Sequence, residues 1–350
     1  MSRRATGKAI VRPGRVPVSF RVDLRSVLVF CFLALVALAG IVANVGYGEY
    51  PVPPLEVVRT VFGHGSQSEY DFIVNTLRLP RALVAVLVGA ALAVSGAILQ
   101  GLTRNPLAAP EIVGVSAGAS LAAVTLIVVL PSVSSAYLPP AAFAGAFVVA
   151  GLLYLIAWRG QSSPMRLILV GIGLAAIAQA FTTLMITFGE IQQVSQALVW
   201  LTGSVYGRGW EELWAFLPWI LIFGALALGL SRQLNALTLG DEVARGLGVR
   251  IELARGALLL TSVALAGAAV ATAGTVAFVG LMAPHIAREL VGPAHGGLIP
   301  VAAVTGGALV VLADLAGRAL FSPTEIPAGI VTAILGAPFF MYLLYRNRNK

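Results

Sequence analysis

The chain has 350 residues, of which 58% are apolar and only 11% charged, with a net charge of +8 and a mean hydropathy of +0.91. Soluble domains carry about 25% charged and about 45–50% apolar residues, so a soluble fold is excluded and the bilayer is this chain's solvent. The single Cys31 excludes a disulfide frame and cysteine-based zinc or iron–sulfur sites, and His64, His285 and His295 are too dispersed for a metal cluster.

Residues 1–25 hold seven basic side chains (Arg3, Arg4, Lys8, Arg12, Arg15, Arg21, Arg25) and read as a disordered cytoplasmic tail. No small-residue cleavage site follows the next apolar stretch, so the tail is read as retained. A charge at mid-bilayer costs at least about 2.5 kcal/mol, and a spanning helix needs about 20 apolar residues. Charge-free windows therefore locate the spans: 26–48, 82–103, 112–158, 167–189, 213–231, 256–287, 290–313 and 326–345. The window 112–158 must hold two helices, broken near Pro131, Pro139 and Pro140. The window 256–287 would be about 48 Å long as one helix against a core of about 30 Å, so it folds back at Ala273-Gly274-Thr275.

The expectation is an all-α polytopic membrane protein: one ten-helix domain over 26–346 and a cytoplasmic tail at 347–350. An even number of spans keeps both basic termini in the cytoplasm, with 18 Lys and Arg inside against five outside, namely Arg59, Arg78, Arg81, Arg208 and Arg318. The net charge is then a matter of topology and calls for no nucleic acid. Small residues four apart, such as Gly114/Gly118 and Ala93/Ala97, suit close helix packing.

The motifs narrow the chemistry. The only Gly-Lys pair is Gly7-Lys8, without the glycine and hydroxyl of a phosphate loop, so this chain does not itself hydrolyse ATP, and HExxH is absent. Gly114-Val115-Ser116-Ala117-Gly118 matches GxSxG, and with His285 it raises an intramembrane serine hydrolase. That motif needs a strand-turn-helix elbow, whereas here it opens a helix among alanines and glycines, where packing is the cheaper explanation. An ion-coupled transporter usually buries carboxylates or histidines at mid-membrane, but Glu111, Glu190, Asp314 and Glu325 all sit at window ends. Energy is thus expected from a partner. The segment 237–248 reads as a short amphipathic helix in a cytoplasmic gap, with Asp241 and Glu242 in its first turn, Arg245 in its last and Gly246 or Gly248 as its stop. It either docks on a cytoplasmic partner or lies at the surface as a connector.

From residue 77 to 345 the chain resembles the iron-siderophore, haem and cobalamin permeases of ABC importers. The resemblance rests on Arg78-Leu79-Pro80-Arg81, on Asn105-Pro106-Leu107-Ala108-Ala109-Pro110 followed by Gly114 to Ala119, and on Leu239 to Glu242 with Ala244 to Gly248. It extends through Phe278 to Arg288, Asp314 with Arg318, and Ile326 to Pro338. It implies a cobalamin-importer-like fold, a second permease subunit, two cytoplasmic ATPases that carry the ATP and Mg, an extracytoplasmic substrate-binding protein, and no cofactor on this chain. Localisation would be the cytoplasmic membrane of a bacterium.

By the resemblance, Leu239, Gly240, Asp241, Glu242, Arg245, Gly246, Leu247 and Gly248 couple the permease to the ATPase. Arg78, Arg81 and Arg318 receive acidic lobes of the binding protein, although snorkelling anchors would have the same residue type. Asn105, Leu107, Ser162 and Ser163 resemble the inner gate. The pathway is assigned to Gln179, Thr182, Thr183 and Thr187, although back-bonding to helix carbonyls would equally satisfy the threonines. The cargo expected is a ferric siderophore, with cobalamin and haem as alternatives. Ala197 to Ser204 and Gly171-Ile172-Gly173 favour pairing of two different permease chains over a homodimer.

Overall fold

The computed structural model describes residues 8–11, 20–65, 67–157, 164–320 and 324–347. The gate expectation at Ser162 and Ser163 lies outside the described residues. Within the segment read as a disordered tail, Lys8–Val11 (β1) pairs antiparallel with Phe20–Asp23 (β2), Lys8 opposite Asp23 and Val11 opposite Phe20. Ile10-Val11 and Phe20 with Val22 are short strand-favouring runs flanking Pro13-Gly14, a pattern the basic residues obscured.

Everything else of regular structure is helical. Asp23 caps α1 (Leu24–Gly46), its carboxylate accepting the Arg25 N–H at 3.2 Å, and α2 (Pro54–Val61) starts on a proline. Next, α3 (Ser68–Asp71) runs through a π-helical stretch, Phe72–Arg78, into α4 (Leu79–Thr103). The helix thus begins well before residue 82, because the wider π turn accommodates Pro80, which lacks an N–H and would crowd the carbonyl four residues back. After a loop, α5 (Val115–Val124) ends in a second π stretch, Thr125–Val129. The break before α6 (Leu138–Ala157) lies at 130–137, so Pro139 and Pro140 start that helix instead of interrupting it.

Four helices follow: α7 (Pro164–Phe188), α8 (Ile191–Leu201), α9 (Trp210–Gly229) and α10 (Ser231–Thr238). Then come α11 (Asp241–Gly246) and α12 (Ile251–Ala273), which stops at Gly274 where expected. The chain closes with α13 (Val279–Val291), α14 (His295–Ala319) and α15 (Ala328–Asn347), so the span expected at 290–313 starts and ends later. The segment 237–248 is not a single helix. Leu237 and Thr238 end α10, Gly240 turns the chain at φ 115°, and α11 begins at Asp241.

Among the described residues eight helices are long and apolar enough to cross a membrane, and Val115–Val129 is a shorter apolar one. The window expected to fold back does divide into α12 and α13, but α13, at 13 residues, is not among these apolar helices.

The centre is formed by α4, α12 and α14, buried over most of their surfaces, while α1, α7, α9 and α15 bury one side and leave large apolar residues exposed. The central helices touch through backbone. A Cβ built on Gly89 of α4 or Gly306 of α14 would run into the other's carbonyl, and Gly118 of α5 meets Gly145 of α6 in the same way. Ala93 and Ala97 pack with Ala283, Ala287 and Ala302 in one apolar cluster.

Gly306→Ala is therefore expected to separate α4 from α14 and destabilise the protein by about 1–3 kcal/mol, the usual cost of overpacking. Gly224→Ala on α9, where a Cβ meets nothing within 4 Å, is the control. Thermal midpoints of the detergent-purified chain read the difference, and equal midpoints would refute the packing argument.

Candidate functional site

Two ionic clusters stand at opposite ends of α4. At one end Arg81 grips Asp314 with one edge of its guanidinium, Nε to Oδ2 at 3.1 Å and Nη2 to Oδ1 at 2.7 Å. Its remaining nitrogen donates to Glu325 Oε2 at 3.0 Å, and its Cζ lies 5.3 Å from the centroid of the Tyr206 ring. The Asn44 amide on α1 donates to Asp314 Oδ2 at 3.0 Å and to the Val311 carbonyl at 3.2 Å. Arg318 donates to the Asn44 carbonyl and to Asn44 Oδ1, and Arg78 reaches the Val45 and Tyr50 carbonyls, each at 2.9 Å. The Asp314 side chain is only 1% exposed and Arg81 10%.

The three arginines expected to face a docking partner lie together near one end of α4. Arg81 and Arg318 are nonetheless buried and held by internal partners, so neither is a free surface cation. Asp314 and Arg318 are four apart on one helix, yet Asp314 is taken by Arg81 from another helix, which leaves Arg318 to Asn44. Sequence reasoning missed Asn44, Tyr206 and Glu325 as partners. The only available signal was the proximity of Glu325 to the matched block at 326.

At the other end α4 terminates on Arg104, which adopts the left-handed conformation (φ 51°, ψ 30°), a strain of about 1–2 kcal/mol for a non-glycine residue. The loop that follows folds on itself, with Asn105 Oδ1 accepting the Leu107 N–H at 2.9 Å and the Asn105 carbonyl accepting that of Ala108 at 3.1 Å. Arg104 then leaves the loop: its Nε donates to the Leu237 carbonyl at 2.9 Å and its Nη2 to Asp241 Oδ1 at 2.5 Å. The same oxygen accepts from Arg255 of α12 at 2.7 Å. Partial burial pushes the Asp241 carboxyl up, but the hydrogen bonds and charges of the two guanidiniums outweigh it and hold the group below the usual carboxylate range. Glu242, Val243, Arg245, Gly246, Leu247 and Gly248 are exposed, as is Leu239 ahead of them. The set expected to act together therefore divides: Asp241, its side chain 34% exposed, is committed to Arg104 and Arg255, while Glu242, Arg245, Gly246, Leu247 and Gly248 project outward with Leu239.

Along α7, Gln179, Thr183 and Thr187 are exposed, whereas Thr182 is buried with its hydroxyl donating to the Ala178 carbonyl at 2.9 Å. Thr187 likewise donates to the Thr183 carbonyl at 2.8 Å. Back-bonding thus takes up two of the threonine hydroxyls, and Thr182 does not face the outside of the helix. An apolar cleft of about 470 Å³ opens nearby in sequence, lined by Leu201, Thr202, Thr275, Gly329, Ile330 and Ile334. The tract ending at Ser204 packs on the turn after α12, the Ser204 N–H donating to the Ala273 carbonyl at 2.7 Å. Ser116 is buried in the first turn of α5 behind a loop, so the strand-turn-helix elbow required by a GxSxG hydrolase is not formed there.

Polytopic helices with ionic clusters at both ends, and an amphipathic turn outside every span, describe a membrane permease. The chain belongs to the FecCD transport family, whose profile matches residues 10–346. It is 47% identical over 97% of its length to the achromobactin transport system permease protein CbrC of Dickeya dadantii, covering 96% of that protein. It is 44% identical over 92% of its length to the probable siderophore transport system permease protein YfhA of Bacillus subtilis, again covering 96%. A cobalamin import permease is also among its relatives. Its fold matches a solved metal-chelate type ABC transporter in an inward-facing conformation, at a TM-score of 0.82 and 31% identity over 91% of this chain and 99% of that one.

One test addresses the first cluster and another the loop after α4. Arg81→Gln leaves Asp314 buried without its cation and should cost about 3–5 kcal/mol, while Arg81→Met combined with Asp314→Leu should recover much of that loss. Thermal unfolding of the purified chain checks both, and an unaltered Arg81→Gln midpoint would show that the pair carries no weight. The second concerns Glu111 in the loop after α4. This residue keeps some accessible surface, yet the packing around it desolvates the carboxyl and raises it from 4.5 to about 7, against an opposing hydrogen bond from its own N–H. A carboxyl raised in the folded state is more protonated there than in the unfolded chain, so stability falls as pH rises between those two values. Glu111→Gln should abolish that slope, with a midpoint above the parent's beyond pH 7 and equal to it below 4.5.

Proposed function

We propose that this chain is one permease subunit of an ATP-driven importer that takes a ferric siderophore from an extracytoplasmic binding protein and passes it across the cytoplasmic membrane of a bacterium. The family, the probable siderophore permease at 44% identity and the achromobactin permease at 47% support the cargo class. The observation that carries the ATP-driven reading is the α10–α11 segment. Leu239, Val243 and Leu247 are exposed on a short turn outside every span, beside the charged Glu242 and Arg245, as a docking surface for a cytoplasmic partner requires. One of the importer's two ATPase subunits binds there, and that pair holds the ATP and Mg. This chain supplies no cofactor, and both its termini lie on that side.

The exposed faces of α7 and α15 receive a second permease chain, a different one by preference, and Gln179 and Thr183 line the path between the two. Arg78, which keeps accessible surface, marks the receiving end for the binding protein, and the buried Arg81 and Arg318 hold that end in shape behind it. Asn105 and Leu107 close the inner end together with Ser162 and Ser163.

In proteoliposomes with the partner chains, vanadate-sensitive ATP hydrolysis and ATP-dependent uptake of a ferric siderophore are expected. Uptake that followed an ion gradient without ATP would overturn the reading. Cysteines placed at Leu239 and Val243 should crosslink to the ATPase, and crosslinks to lipid alone would remove the docking assignment. Competition by cobalamin against siderophore uptake tests the second cargo, which the cobalamin relative supports.

A further inference from the structure

The docking segment is tied into the protein at two points of different character. On α10, Asn235 Oδ1 accepts both the backbone N–H of His295 at 3.0 Å and a hydrogen bond with His295 Nδ1 at 2.7 Å, which fastens α10 to the start of α14. On α11, Asp241 reaches Arg104, the residue that opens the loop carrying Asn105 and Leu107. A single oxygen of Asp241 also accepts from Arg255, whose side chain is only 6% exposed, within the second turn of α12.

Three elements distant in sequence therefore share one carboxylate oxygen. They are the loop after α4, the exposed turn α11 and the central helix α12. The turn at Gly240, whose φ of 115° favours glycine, starts α11 so that the half-buried Asp241 meets Arg104 and Arg255 while Glu242 and Val243 face out. Arg255 is anchored in the core and Arg104 is half-exposed at the head of a loop. When α11 moves, the contact with freedom to follow is the one to Arg104.

We propose that Asp241 is a positioning residue and not part of the docking surface, and that the Arg104–Asp241 contact passes displacement of α11 to the loop holding Asn105 and Leu107, with Arg255 as the fixed point. The proposal rests on the reading of α10–α11 as the ATPase-binding segment and of that loop as the inner gate. A demonstrated change in the loop that depends on α11 is the physical warrant such a coupling needs.

The test uses the assembled importer in lipid, with Cys31→Ser and a spin label at Leu107→Cys. Arg104→Gln and Asp241→Asn should both retain the ATPase subunits on purification and continue to hydrolyse ATP, while uptake per ATP falls by about tenfold, within the usual range of coupling energies. The label at position 107 should cease to respond to vanadate trapping. The double variant should be no worse than either single, because one shared contact is lost in all three. Arg104→Lys and Asp241→Glu, which keep the charges, should fall between parent and neutral variants and serve if a neutral variant does not fold.

Unchanged uptake per ATP, a label that still responds, or a double variant whose defect is the product of the singles would overturn the proposal. Loss of the ATPase subunits on Asp241→Asn would also overturn it, since Asp241 would then belong to the docking surface. If Leu239→Ser with Val243→Ser leaves ATPase binding intact, the docking reading itself fails, an outcome distinct from failure of the relay.

Discussion

Lipid tails are as apolar as leucine, so burial from water gives spanning helices little reason to associate, and close contact must do so instead. In this protein that constraint is met where Gly89 of α4 and Gly306 of α14 press backbone on backbone. Dispersion falls off steeply with separation, and even one methyl group at either position would part the helices along their length. The alanines of α4, α13 and α14 extend the contact on one side. From this central pair the arrangement of the other helices follows, α12 and α13 closing against α4 and α1 against α14.

Close contact also decides how charge is tolerated. Arg81 and Asp314 lie on the two helices that the glycines bring together, and each guanidinium or carboxylate edge finds a partner at hydrogen-bond distance. A buried ion pair contributes little net stability because desolvation offsets its attraction, but separating its members is costly. Such a pair therefore selects the register in which α4 and α14 meet more than it strengthens their contact. Asn44 draws α1 into the same register, since it serves Asp314 with its amide and Arg318 with its two oxygens.

Legibility in the sequence followed the range of the interactions. The spans were readable because hydropathy is local, and the break at Gly274 because length alone demanded one. The acidic start and basic finish of α11 were readable because macrodipole preferences act within one turn. The helix start at Ser68 was hidden because Glu69, Asp71, Arg78 and Arg81 interrupt any charge-free window there, and nothing local announces that a π stretch will carry the helix past Pro80. Likewise, the sequence marked Arg81, Arg318 and Asp241 by type and position but not by partner. Asp314 lies 233 positions from Arg81, and Arg104 137 from Asp241, so only the tertiary packing could reveal which partner each group takes. Thr182 was misplaced for a related reason. Gln179 and Thr183 do face outward, and at about 100° per residue Thr182 stands about 60° from the one and about 100° from the other, enough to bring it to the packed flank of α7.

The two ionic clusters share an owner in α4, with Arg81 near one end and Arg104 at the other, about 35 Å apart at 1.5 Å per residue. α14 runs beside it and is held at three levels. Arg81 binds Asp314 at one end, the glycines meet in the middle, and at the far end Arg104 holds α10 through the Leu237 carbonyl while Asn235 of α10 holds His295. Two rods joined at both ends and the middle cannot splay, because opening any one level requires bending a helix or breaking the other two. Relative motion must then fall to elements that bury a single side, namely α7, α9 and α15, and to loops such as the one that begins at Arg104. A strained left-handed residue with a half-exposed side chain is suited to that position, since the backbone there already stores part of the energy that a change of conformation would release.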